Sequence, residues 1–230
     1  MKQLDTRLFV IYSLDDVTLL SLNDTINKNN ILLIVPGILD TDVVDTEYKQ
    51  IADLAIQYSK ETTWNIVIIH NESHGMISDL LEAATGKLFG GLSDLFGAPP
   101  EYPGRMLESI LEDRPSNKET VIMCHSQGGI ISSNAVNCCN KYVRAKVKIN
   151  FFGSAAWTLP HIRRENMAEY TTDLDPVALF FGRGFCPSTI KCRKTLWHGI
   201  PHYRPIMELV LQHIFGLLSD SDFEETIKNV

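Results

Sequence analysis

Cysteine is scarce in this chain and positive charge is in deficit, and each shortage removes whole classes of protein. Five cysteines, at 124, 138, 139, 186 and 192, form an odd number without the dense spacing of a disulfide framework or a zinc cluster. A reducing compartment is therefore the expectation: cytoplasmic, or exported by a route that uses no N-terminal signal peptide. Lys and Arg total 21 against 28 Asp and Glu, a formal net charge of −7. Such a chain repels phosphate backbones, which argues against nucleic acid as a partner, and its short basic clusters, Arg163-Arg164 and Lys191 to Lys194, are only local. Long apolar runs are missing too. No stretch approaches the roughly 20 apolar residues of a spanning helix, and Met1 to Arg7 is charged on both sides of a single apolar residue. Neither a transmembrane segment nor a secretory signal is expected, which leaves peripheral membrane contact open. Repeats and low-complexity tracts are also lacking.

What is present suits one full-sized core. Of 230 residues, 44% are hydrophobic and 21% charged, so a single domain over 1–218 is expected, followed by an acidic tail over 219–230. Leu8 to Tyr12 and Val17 to Leu22 read as an antiparallel hairpin about Asp15-Asp16. Ile31 to Val35 and Ile66 to Ile69 are apolar on both faces, as strands of a parallel sheet covered by helices are. Between them Tyr48, Ile51, Ala52, Ala55 and Ile56 recur at helical spacing. Helices are predicted from about Gly104 to Glu112, Gly128 to Cys139 and Ile206 to Leu218, with Pro205 suited to a first turn. Further strands are predicted at Val147 to Phe152, about Met167 to Thr172, and Thr195 to Trp197. This alternation, behind an N-terminal hairpin, gives an α/β three-layer sandwich with a mostly parallel sheet.

The chemistry centres on Thr120 to Gly129, where an apolar run stops at Ser126 among small residues and a helix-compatible stretch begins. A serine hydroxyl becomes an effective nucleophile when it stands on a sharp strand-to-helix turn, beside a base and before backbone N–H donors. Cys124 holds the position two residues before the serine, where the turn requires a small side chain, and glycine is usual. Gly128 fills the second small position and Gly129 permits close packing of helix on sheet. Ligands of such sheets collect at the carboxyl ends of the strands, so polar residues ending later strands are candidate partners. Asp173 and Asp175 supply an acid, and His198, with His202 four residues on, supplies a base.

In these residues the chain resembles the α/β-hydrolase superfamily, in particular its lipase-like and esterase-like members. The likeness rests on Cys-His-Ser-Gln-Gly-Gly, on an acid before Pro176-Val177, and on a late histidine, in the order serine, acid, histidine. It implies the α/β-hydrolase fold and a triad of Ser126, Asp175 and His198, with His202 as the alternative base. Asp175 is preferred because such sequences carry the acid directly before Pro-Val. His198 is preferred because an aromatic follows five residues later. The oxyanion hole would combine the backbone N–H groups of Gln127 and Ile38, although Pro36 replaces the residue usual before Gly37. The implied activity is hydrolysis of a carboxylic ester, small or lipid-like, with an apolar acyl group and no metal or cofactor. The alternatives are a catalytically silent binding domain of the same fold, or a thioesterase or peptidase using the same triad.

Other residues carry plainer readings. His125 points away from the serine by strand alternation and reads as structural, and His70 and His74 read as packing or substrate contacts. The glycine-broken aliphatic series within 76–103 reads either as core-facing helix or as a lid over an acyl pocket. Trp157, Phe180, Phe181 and Phe185 are candidates to line the same cleft.

Overall fold

Strands form where β-branched and aliphatic residues run without a polar face. In the computed structural model they assemble one eight-stranded sheet: β1 (Lys2–Asp5), β2 (Leu8–Ile11), β3 (Asn30–Val35), β4 (Trp64–Ile69), β5 (Thr120–His125), β6 (Val147–Phe152), β7 (Met167–Thr171) and β8 (Ile190–Lys191). The structure describes residues 1–22, 25–37, 47–59, 64–71, 102–156, 160–172, 175, 177, 178, 190, 191 and 200–230. The strand order is β1-β2-β4-β3-β5-β6-β7-β8, with β1 antiparallel to β2 and every other pairing parallel.

Alternation along the strands divides the core in two. Ile31, Leu33, Val35, Ile122 and Cys124 face helices α1 (Leu14–Leu22), α4 (Tyr102–Glu112) and α5 (Gly128–Cys138). Leu32, Ile34, Val121 and Met123 face α3 (Glu47–Tyr58), α7 (Ile200–Ile214) and α8 (Asp220–Ile227). Short helices α2 (Thr25–Lys28) and α6 (Lys141–Arg144) are also among the described residues. Each fully buried Ile or Leu contributes about 1.5–3 kcal/mol relative to exposure, so the three layers hold together chiefly through these two apolar faces. No helix among the described residues is long and apolar enough to cross a membrane.

The three-layer α/β architecture and the N-terminal hairpin agree with expectation, while some elements differ from it. The hairpin lies one element earlier, between β1 and β2, and Val17 to Leu22 is helical. Ser13 begins that helix: its hydroxyl accepts the Asp16 N–H at 3.3 Å while the Asp16 carboxylate accepts the N–H groups of Ser13 at 3.1 Å and Tyr12 at 2.7 Å. This reciprocal cap, with Asp15 and Asp16 at the positive end of the helix dipole, outweighs the modest β preference of the residues that follow. The last long helix begins at Ile200, well before Ile206. Pro201 takes an early position where its missing N–H costs nothing. Pro205 is carried inside the helix, which is anchored on either side by the buried Tyr203, Ile206 and Met207.

The acidic stretch after 219 is likewise helix rather than loose tail. The Ser219 hydroxyl caps α8 by accepting the Asp222 N–H at 3.2 Å, Phe223 stacks on His213, and Ile227 is buried. Thr195 to Trp197 and all but the last two residues of the 76–103 segment lie outside the described residues. The last strand that is described, β8, is one the apolar pattern did not indicate.

Candidate active site

The strand registers bring several residues into one row at the carboxyl edge of the sheet. Ile34 pairs with Ile68, Val35 with Cys124, Cys124 with Phe151, and Phe152 with Tyr170. Counting on from those pairs places Asn71, Gly37, Ser126, Gly153 and Thr171 side by side. The order of strands reverses at β3, because the chain runs from β3 to β4 on one side and then crosses to β5 on the other. The helices that follow β3 and β5, α3 and α5, pack on opposite faces of the sheet, so this is its topological switch point, the position where α/β sheets bind ligands.

Ser126 is the only non-glycine residue with positive φ among the described residues, at 55°. That conformation costs about 1–3 kcal/mol and persists only where the surroundings impose it. Here they do: the Ser126 N–H donates to the Phe152 carbonyl at 3.2 Å, and the Ser126 carbonyl accepts the N–H groups of Gly129 at 3.1 Å and Ala155 at 3.0 Å. Helix α5 starts immediately afterwards and directs the positive end of its dipole toward the serine. The turn is possible because Gly128 has no side chain: a Cβ there would overlap the carbonyl oxygens of Val35 and Pro36. Gly129 similarly leaves room for Ser154, as close packing of the helix requires.

Cys124 is accommodated. Its side chain is buried among the α5-facing residues, with Sγ 3.5 Å from the Asn150 carbonyl oxygen. Burial pushes this thiol far above the ordinary cysteine range, with the neighbouring Ser132 opposing only in part. The cysteine is thus a small core residue and not a nucleophile.

Two neighbours fix the loop after β3. The Gly37 N–H donates to the Tyr48 hydroxyl at 3.0 Å, and the Gly37 carbonyl accepts from Asn71 Nδ2 at 3.2 Å. The same Asn71 nitrogen reaches Gln127 Oε1 at 3.0 Å, so the end of β4 ties the β3 loop to the residue after the serine. Because Tyr48 takes the Gly37 N–H, that group is not an oxyanion donor. The backbone of Gln127 opens α5 beside Ser126, whereas Ile38 lies outside the described residues.

Asp175 is fully buried. Its Oδ1 accepts the N–H groups of Val177 at 2.8 Å and Ala178 at 3.1 Å, its Oδ2 accepts the Tyr203 hydroxyl, and its own N–H reaches the Thr172 carbonyl at 3.2 Å. Asp173, His198 and His74 fall outside the described residues, as do Trp157, Phe180, Phe181 and Phe185. His202 is placed in the first turn of α7, next to Tyr203. Successive helical side chains diverge by about 100°, and His202 interacts electrostatically with Glu47 of α3. Among the described residues it makes no hydrogen bond to Ser126 or Asp175.

His125 sits on the opposite face of β5 from Cys124, buried, with Nδ1 2.9 Å from the Tyr48 hydroxyl and its ring 5.4 Å from that of Tyr203. The structural role assigned to it agrees with this placement. His70 packs its ring on Tyr12 at 4.8 Å. Sequence reasoning gave no site contact to Tyr48, Asn71, Gly153 or Tyr203, although Tyr203 is the aromatic that follows His198 by five residues. Asn71 was within reach, since it follows a strand end just as Asp175 does.

The arrangement is that of the α/β-hydrolase fold, with a serine on a left-handed turn at the sheet's switch point. No family model matches the chain, and no curated protein matches it in sequence. Among solved structures the chain is similar to Trichoderma reesei cutinase in complex with a C11Y4 phosphonate inhibitor. The TM-score is 0.51 at 14% sequence identity, over 90% of this chain and 87% of the cutinase. That likeness is one of fold.

Proposed function

We propose that this protein is a serine hydrolase cleaving a carboxylic ester whose acyl part is apolar, small or lipid-like. Ser126 attacks the carbonyl carbon and His198 takes its proton. Asp175 orients the imidazole and stabilises its cation. The backbone N–H groups of Gln127 and Ile38 receive the oxyanion. The tetrahedral intermediate then collapses: the acyl–oxygen bond breaks, His198 returns the proton to the leaving alcohol, and water releases the acyl group by the same steps. No cofactor takes part in these steps.

The observation that carries this reading is the left-handed Ser126 at the switch point, held by three backbone hydrogen bonds, with Gly37 lacking the side chain that would cover it. A strained serine at this position is held against its own conformational preference, which is typical of functional turns. The buried Asp175 in the loop after β7 supports it, as does the likeness in fold to a cutinase that is complexed with a phosphonate inhibitor. His198 is favoured as the base because an aromatic follows it five residues later, while His202 interacts electrostatically with Glu47 of α3.

A fluorophosphonate probe tests the proposal. Wild-type protein should be labelled stoichiometrically and Ser126→Ala not at all. Folded wild-type protein that takes no label would sink the enzyme reading in favour of a silent binding domain. An ester series of increasing acyl length, run beside a thioester and a peptide, then separates the substrate classes. A rate that does not change with acyl length refutes the lipid-like assignment.

A further inference from the structure

Around the acid of the candidate triad, Asp175, lies a buried cluster whose other members the proposed steps do not use: Gly153, Tyr203 and His125, each from a separate part of the chain. Tyr203 is fully buried, although its hydroxyl is polar. That hydroxyl accepts the Thr172 N–H at 3.2 Å, which directs its own proton to Asp175 Oδ2. Gly153, at φ +50°, is where the two side chains meet. A Cβ there would lie 2.5 Å from Asp175 Oδ2 and 2.6 Å from the tyrosine oxygen. Burial, and then the adjacent Asp175 carboxylate, push the Tyr203 hydroxyl well above the ordinary tyrosine range, so it remains a proton donor at every working pH.

We propose that Tyr203 is a positioning residue for the acid of this site: its hydroxyl gives Asp175 a third hydrogen bond and sets the carboxylate's direction and basicity toward the base histidine. This rests on the serine-hydrolase reading above. The reasoning is one of supply. A fully buried carboxylate stays ionised only if donors replace its water, and two backbone N–H groups and one phenol do so here. A carboxylate offers about four acceptor directions, so it can accept from the phenol and from a histidine N–H together. A donor on the carboxylate draws charge away from it, which weakens its hold on the imidazolium and lowers the histidine's pKa. Tyr203 thus moderates the acid while holding it still. The titratable groups packed around it are Asp175 itself and His125 of β5, with Tyr48 of α3 behind His125. Elsewhere on the helix of Tyr203, His202 and Arg204 interact electrostatically with Glu47 of α3.

The test is the pH profile of ester kcat/KM for the full chain and for Tyr203→Phe. Removing the donor makes the carboxylate more basic, so the acid limb should move up by about half a unit or more. The kcat should fall about tenfold, about 1.4 kcal/mol of barrier, with little change in KM. If Tyr203→Phe does not fold, 3-fluorotyrosine incorporated at position 203 alone keeps the ring and strengthens the donor, and the acid limb should then move down. An active wild type whose profile and kcat are unchanged in either variant overturns the role of Tyr203 alone. A wild type that neither takes phosphonate label nor turns over any ester overturns the hydrolase reading, and this role with it.

Discussion

Replacing Gly37 by alanine should damage the chemistry far more than the fold. The added Cβ would lie 2.7 Å from Ser126 Cβ, 3.2 Å from the His125 carbonyl oxygen and 3.3 Å from Ser126 Oγ. Non-bonded carbons rest at about 3.5–4.0 Å, so roughly 1 Å of separation must open. The Gly37 backbone lies outside the left-handed region, so alanine is opposed by crowding alone. Neither side yields easily: Ser126 is held by its three backbone hydrogen bonds, and the loop by Tyr48 and Asn71. Misplacing a reacting group by about 1 Å costs around a hundredfold in rate, whereas overpacking costs about 1–3 kcal/mol. In a chain of this length the latter lowers the melting temperature by about 2–4 °C per kcal/mol. The assay pairs kcat/KM on an ester with a calorimetric melt. Gly216→Ala is the control: its φ is +72° and nothing lies within 4 Å, so it should lose stability to strain and keep its rate. If Gly37→Ala retains wild-type kcat/KM and melts with wild type, the β3 loop does not abut the serine and the row of strand ends is wrongly drawn.

Among the cysteines of the described residues, Cys138 is exposed while Cys124 and Cys139 are buried with thiols pushed far up. Mass spectrometry after brief alkylation of native protein should therefore find Cys138 modified and the other two untouched until denaturant is added. Ile227→Ala should destabilise the chain by about 2–4 kcal/mol, as for a buried aliphatic side chain. A chemical denaturation curve matching wild type would mean the C-terminal segment is not docked. Tyr48 and Tyr203 both have hydroxyls raised above the usual value of 10.0. The native state then keeps protons that the unfolded chain releases, so their contribution is intact below about pH 10 and declines as pH rises, by about 1.4 kcal/mol per unit for each tyrosine. Urea titrations at increasing alkaline pH should show this slope. Tyrosinate absorbance from these two rings developing before unfolding would refute it.

The sheet was legible wherever a strand is buried on both faces. Ile31 to Val35 and Ile66 to Ile69 have no polar residue to suggest anything else, and Ser126 was legible because the turn demands small neighbours. The N-terminal hairpin was misplaced because periodicity was weighed without the cap: Ser13 and Asp16 together outweigh a run of leucines and a valine. Helix α8 was missed for a similar reason, since a mostly acidic stretch conceals one capping serine and one buried isoleucine. Tyr48 and Tyr203 lay beyond reach for a different cause. Each belongs to a helix whose register against the sheet is set by packing, and nothing local marks which helical tyrosine will meet Gly37 or Asp175. Of the residues expected to carry the chemistry, Ser126 and Gln127 form the strand-to-helix turn and Asp175 is buried in the loop after β7, while Ile38 and His198 lie outside the described residues.

One consequence follows from Gly128, which presses the start of α5 against the last carbonyls of β3 with no space for a methyl group. With Asn71 bridging Gly37 and Gln127, the ends of three strands become a single keyed joint. The stretch at 72–101 enters the chain directly after one of those ends, that of β4, and contains none of the joint's residues. A designer could exchange it for a segment of different length and composition while leaving the joint, and Ile38 after it, unaltered. Variation of that kind leaves the setting of Ser126 as it is, so the joint separates the evolvability of the inserted stretch from that of the turn that holds the serine.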